Sequence, residues 1–123
     1  MFWNWSRGGA SALAETPTRT DGRRLRALID RATGGSQDES DEHASLLSTV
    51  RAEVVCPFRA SLDGEGVECI RLEFPKNGYG LKAVCRSRGQ AEVVDIAQLE
   101  WLEPVPKGHE WIEAYLAWRE LVG

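Results

Sequence analysis

Val67-Glu68-Cys69-Ile70-Arg71-Leu72-Glu73-Phe74 (VECIRLEF), the connection Pro75-Lys76-Asn77-Gly78-Tyr79-Gly80 and then Leu81-Lys82-Ala83-Val84-Cys85-Arg86 (LKAVCR) decide the fold. In the first run Ile70, Leu72 and Phe74 fall on one side of an extended chain, and Val67, Cys69, Arg71 and Glu73 on the other. That period of two is the mark of a strand. Asn77-Gly78 between two such runs is a strong short-range hairpin signal, because both residues accept the left-handed backbone of a tight turn. LKAVCR alternates again.

Working outward, Phe58–Leu62 (FRASL) ends at the turn Asp63-Gly64-Glu65-Gly66, and Arg88-Gly89 turns LKAVCR into Ala91–Ile96 (AEVVDI). Ala97–Leu102 (AQLEWL) has the form of a single tight turn followed by a last short strand. Four or five short strands with turn residues between them predict a small SH3-like antiparallel β-barrel over about residues 57–103.

Upstream of Pro57 the period lengthens. Thr20 or Asp21 is placed to cap a helix over about residues 21–33, with Leu25, Leu28 and Ile29 on one face and Arg23, Arg24 and Arg26 on the wet side. Gly34-Gly35 stops it. A second helix is expected over about 38–55, capped by Ser36, Asp38 or Ser40 and striped by Leu46, Leu47, Val50 and Val54. Downstream, Pro104 and Pro106 precede a third amphipathic helix over about 107–121, with Trp111, Ala114, Tyr115, Trp118 and Leu121 on one face. The expected class is therefore α+β: two N-terminal helices, the barrel, and a C-terminal helix covering one open end or edge of it. Residues 1–20 lack a period and form a tail, while 21–123 form one globular domain. Phe2, Trp3 and Trp5 in that tail are large enough to dock on the body, on a second copy, or on a protein partner.

Composition narrows the function. With 42% hydrophobic and 28% charged residues, a chain of 123 residues can bury a core without staples. A net charge of −4 favours cations over phosphate backbones as partners, so nucleic acid is not expected. No run approaches the roughly 20 apolar residues that span a bilayer, and MFWNWSRGG is not followed by a signal-peptide core. The cytoplasm is the expected compartment. Cys56, Cys69 and Cys85 lie far apart in sequence, each in a predicted strand, without the close ligand pairs of a zinc site. They are expected to act as small apolar residues. His43 beside Glu42 and His109 beside Glu110 offer a general base, but no nucleophile motif or phosphate-cradling glycine loop accompanies them, so no enzyme is expected.

One feature of the charge is uneven. Gln37–Glu42 (QDESDE) places Asp38, Glu39, Asp41 and Glu42 within five positions. Two explanations are open. Acids in the first turn of a helix interact favourably with its dipole, by about 0.3–1 kcal/mol each. Four neighbouring carboxylates also repel, by about 1 kcal/mol per pair in a wet setting, and a captured dication relieves that repulsion. The spacing is not that of an EF-hand, because His43 and Thr49 stand where its Gly and Glu are needed. Asp30, across the Gly34-Gly35 turn, is a further candidate oxygen donor.

The order of LIDRATGG, DESDEHASLLSTVRAEV, CPFRASL, VECIRL, LKAVCRSRGQAEVVDIAQLE and EWIEAYLAW resembles that of small bacterial calcium-binding proteins of the CcbP type, over about residues 27–118. The resemblance implies a non-catalytic protein that binds or buffers Ca²⁺ through Asp30, Asp38, Glu39, Asp41 and Glu42. With so many exposed acids the affinity would be modest, about 10⁻⁵–10⁻³ M. The alternative is an adaptor module whose barrel binds protein or RNA through Arg23, Arg24, Arg26, Arg86 and Arg88, with Tyr79 available for stacking.

Overall fold

The computed structural model describes residues 20–122, so the expectations for Phe2, Trp3 and Trp5 lie outside the described residues. Three helices and five strands follow in chain order: α1 (Gly22–Thr33), α2 (Glu39–Glu53), β1 (Phe58–Leu62), β2 (Glu65–Glu73), β3 (Lys82–Ser87), β4 (Gln90–Asp95), a 3₁₀ turn (Ile96–Gln98), β5 (Leu99–Trp101) and α3 (His109–Val122). The strands form one antiparallel sheet in the order β4-β3-β2-β1-β5. The class is α+β. The ladder is open: β4 and β5 are its two edges and do not pair. None of the described helices is long and apolar enough to cross a membrane.

Local chemistry accounts for most of the boundaries. Asp21 caps α1, its carboxylate accepting the Arg23 N–H at 2.7 Å. Asp38 caps α2 by accepting the Asp41 N–H at 2.9 Å, which satisfies a first-turn donor that the helix cannot satisfy itself. The hairpin between β1 and β2 turns at Asp63-Gly64 (φ 53° and 82°), and that between β3 and β4 at Arg88-Gly89 (φ 54° and 80°). Two consecutive positive φ values give the twist that a two-residue hairpin needs.

Two sequence expectations change at β2. Its alternation is broken by a bulge between Cys69 and Arg71, where the register against β3 shifts. Val67 and Cys69 are buried before the bulge, while Leu72 and Phe74 pack on the core after it. An extra residue moves the inward face from odd to even positions, so the strand has no single apolar side. Asn77-Gly78 does not make a two-residue turn either. The last β2–β3 pair is Glu73 with Lys82, and residues 74–81 form a longer connection. Leu81 is fully buried and the Tyr79 carbonyl is bonded to α3, which holds that connection against the helices.

The three helices pack on one another and share one core with the sheet. Leu28 and Ile29 of α1, Leu46 and Val50 of α2, and Ile112, Tyr115 and Trp118 of α3 meet Ala60, Cys69, Leu81, Ala83, Ile96 and Leu99. The aromatic stripe of α3 is core as expected through Trp118, but Leu121 is 66% exposed. Cys69 and Cys85 are buried in strands, whereas Cys56 lies at the α2–β1 junction, outside any strand, and is half-buried. Pro57 ends the helical geometry there before the sheet begins.

Candidate functional site

Helical geometry sorts the acidic run into two groups. At 3.6 residues per turn, Glu39, Glu42 and His43 share the face of α2 that carries Leu46 and Val50, and Asp41 lies about 200° round from Glu39. The first group is drawn against α3 and the 74–81 connection. Glu39 accepts the Tyr79 hydroxyl, and Glu42 accepts the Trp118 indole N–H at 2.9 Å. His43 stacks on Trp118 with ring centroids 5.5 Å apart and lies 4.5 Å from the Tyr79 ring.

Asp38 and Asp41 remain on the solvent side. One Asp38 oxygen takes the Asp41 N–H, and Asp41 Oδ2 takes the Gln37 N–H at 3.4 Å. Among the described residues none of the four carboxylates is in an ion pair. The contrast with other acids is clear: Glu110 pairs with Arg24, Glu73 with Arg71, Glu68 with Arg86, Glu65 with Arg88 and Asp95 with Arg119. Asp30 is exposed on α1, and its neighbour Arg31 lies over the Trp111 ring at 5.8 Å. Among the described residues no three His, Cys, Asp or Glu side chains converge so as to hold a metal ion.

The candidate basic surface is largely neutralised. Arg24, Arg86 and Arg88 each face a glutamate, and the Tyr79 hydroxyl is committed to Glu39. Arg23 and Arg26 are exposed on α1. Exposed pairs of this kind contribute about 0–1 kcal/mol each, but they cancel the charge that would attract a phosphate.

A part-buried polar network that the sequence did not single out lies behind Glu39 and Glu42. The Tyr115 hydroxyl donates to the Tyr79 carbonyl at 2.9 Å and lies 2.8 Å from His43 Nε2. A phenol has one proton, so that Nε2 carries the hydrogen and His43 is the Nε2–H tautomer. Arg119 donates to the same carbonyl at 3.0 Å and clamps Asp95 through two bonds of 3.2 and 3.0 Å. Burial alone would raise the Asp95 carboxyl, but the hydrogen bonds and charge of Arg119 outweigh it and hold the carboxyl below its ordinary value. The available signal was spacing: Glu39, Glu42 and His43 repeat at three and four residues on the apolar face.

This network has a pH signature. Burial lowers His43 below 6.5, with the Glu39 charge pulling the other way. As pH falls through 6.5 the unfolded chain gains a proton that the folded chain does not yet accept. Stability is therefore complete above that pH and declines below it, until the folded imidazole itself titrates. Urea midpoints are expected to fall from pH 7 to pH 5, and the fall should shrink in His43→Gln. An equal fall in the variant would assign it elsewhere. The Asp95–Arg119 pair acts in a separate window, its contribution being lost only below about pH 4.

Comparison with family models, with curated proteins and with solved structures finds no match.

Proposed function

We propose that the chain is a non-catalytic domain that binds a divalent cation, Ca²⁺ first, at the exposed start of α2. The carrying observation is that Asp38 and Asp41 sit beside each other at that helix start with, among the described residues, no cationic side chain in an ion pair with them. Each has one oxygen held by a backbone N–H and a second oxygen turned to solvent among the described residues. Carboxylate oxygens are the donors that a hard cation takes, and water completes the six to eight positions that Ca²⁺ prefers. Glu39 and Glu42 are ligands of Tyr79 and Trp118 first, so they shape the local field more than they coordinate. The ion then has two protein carboxylates and a mostly aqueous shell. The expected dissociation constant is about 10⁻³ M, at the weak end of protein calcium sites. In the same reading the open sheet is an SH3-like barrel left unclosed between β4 and β5, with its 3₁₀ turn leading into the last strand.

Calorimetric titration with Ca²⁺, and separately with Mg²⁺, tests this. Wild type should release or absorb heat at millimolar Ca²⁺, and Asp38→Asn with Asp41→Asn should abolish it. Asn also caps helices well, so the double variant keeps the fold. Glu39→Gln and Glu42→Gln should each weaken binding by less than about threefold, because they remove field and not ligands. A wild type silent at millimolar Ca²⁺ would end the proposal.

A further inference from the structure

Thr20, the first described residue, is held at the wall of an open cavity. Its N–H donates to Glu113 Oε1 at 2.7 Å, and the other Glu113 oxygen accepts the Trp101 indole N–H at 2.7 Å. That carboxylate is only 13% exposed, so two charge-assisted bonds fix where the chain enters the domain. The cavity has a volume of about 370 Å³. Leu25 of α1, Ile96 and Leu99 at the sheet edge, and Leu116 of α3 form its apolar wall together with Trp101. β5 is the edge strand here, paired among the described residues with β1 alone. An open sheet edge with an apolar hollow beside it is a place that folds ordinarily cover.

We propose that this cavity is the docking site of the chain's own N-terminal segment, with the Trp3 and Trp5 side chains seated in it. Position, shape and charge select that occupant. Thr20 lines the cavity, so residues 1–19 join the domain at the cavity itself. Trp3 and Trp5 are two positions apart, and an extended segment turns both indoles to one side. A hollow of this volume is in the range that takes a compact apolar group. Each indole carries one N–H that wants an acceptor, and the Glu113 carboxylate has further acceptor sites beyond the two in use. Arg7 and Arg19 against Glu15 leave the segment net positive, while the whole chain stands at −4 and Glu100 and Glu113 line the cavity.

Reach is ample. Residues 6–19 can span up to about 45–50 Å when extended, more than Trp5 needs to return to a cavity that begins at Thr20. Tethering makes docking an intramolecular step at an effective concentration of about 1 mM. A contact with a dissociation constant of about 0.1 mM between separate molecules is then made in about nine tethered molecules of ten. A second copy at micromolar concentration competes poorly for the same cavity, which selects the arrangement within one chain.

Full-length protein labelled with 5-fluorotryptophan gives one ¹⁹F signal for each of its five tryptophans, assigned through single Trp→Phe variants. At micromolar protein the Trp3 and Trp5 signals should be insensitive to exchange of H₂O for D₂O, as those of buried indoles are. Tenfold dilution should change nothing. Ala97 is exposed and lines the cavity, so Ala97→Arg fills it without disturbing the core. That variant should make the Trp3 and Trp5 signals solvent-sensitive and leave those of Trp111 and Trp118 in place. Trp3→Ala with Trp5→Ala should shift the Trp101 signal and not that of Trp118. Should Ala97→Arg not fold, this double variant and the dilution decide. Solvent-sensitive Trp3 and Trp5 in the wild type, or protection that survives Ala97→Arg, would overturn the proposal. Protection lost on dilution would assign the cavity to a second copy and overturn it equally.

Discussion

Gly108→Ala is expected to cost about 4 kcal/mol and to lower the melting temperature by roughly 15–25 °C. Gly108 stands just before α3 with φ +86°, and a Cβ there would lie 2.3 Å from the Glu53 carbonyl oxygen, 2.7 Å from its carbon and 2.8 Å from Val54 Cα. Every one of those atoms is backbone, so no rotamer change can relieve the clash. The surrounding segment is tied to the end of α2 by the Val55 N–H donating to the Lys107 carbonyl at 3.3 Å. Separation would therefore also strain that bond. A positive φ costs an alanine about 1–2 kcal/mol, and forcing packed backbone apart adds about 1–3 kcal/mol. Gly64→Ala separates the two contributions: Gly64 has φ +82° but open space where the Cβ would go. It should cost only about 1–2 kcal/mol. Thermal unfolding followed by circular dichroism checks both, and equal losses at the two positions would refute the close-approach explanation.

Gly108 marks a boundary between what a sequence can and cannot say about this fold. Turn chemistry is local, so Asp63-Gly64 and Arg88-Gly89 could be placed in advance. The caps at Asp21 and Asp38 were among the expected ones for the same reason, since a short oxygen-bearing side chain acts on its own next few residues. The bulge at Cys69–Arg71 depends on which neighbour β2 pairs with, and VECIRLEF reads as unbroken alternation without that partner. Asn77-Gly78 carries a strong local preference that tertiary contacts outweigh: burial of Leu81 and the bonds to the Tyr79 carbonyl draw the chain into a longer path. The close approach of Gly108 to Glu53 joins residues more than fifty apart, and only tertiary structure supplies it.

The acidic run shows the same division within a candidate site. Its charge density was evident, and so were both explanations for it. The fold answers differently for different members. Asp38 is a cap, Glu39 and Glu42 bond to Tyr79 and Trp118, and Asp41 is turned away from them by the helical repeat. Asp30 and the run belong to different helices and do not join in a preformed cage among the described residues. A sequence count of carboxylates overstates the ligands that one ion can reach, because neighbours on a helix point apart. The cysteines err in the opposite direction. Their long spacings concealed a cross-strand pair, since sheet pairing joins Cys69 and Cys85, which sequence separates.

Tyr115→Ala is expected to be the most damaging single truncation of the helical layer, at about 4–5 kcal/mol. That is a large fraction of the roughly 5–15 kcal/mol that holds a domain of this size together. Tyr115 is wholly buried, and its hydroxyl joins α2 at His43 to the 74–81 connection at the Tyr79 carbonyl. The truncation leaves a cavity and removes that junction together. Burial also pushes the phenol up to about 12, so the hydroxyl stays protonated and donating throughout the working range. Tyr115→Phe keeps the ring and removes only the oxygen. The Tyr79 carbonyl retains Arg119, but the His43 N–H loses its acceptor, so this variant should cost about 1–2 kcal/mol. Replacing both ends tests the origin of that cost. In a cycle of Tyr115→Phe, His43→Leu and the double variant, the double should recover about 1 kcal/mol relative to additivity, because no stranded N–H remains. Urea denaturation supplies all four free energies. Strict additivity would mean that the two side chains are neighbours without a bond that matters, and that Tyr115 supports the fold through its ring alone.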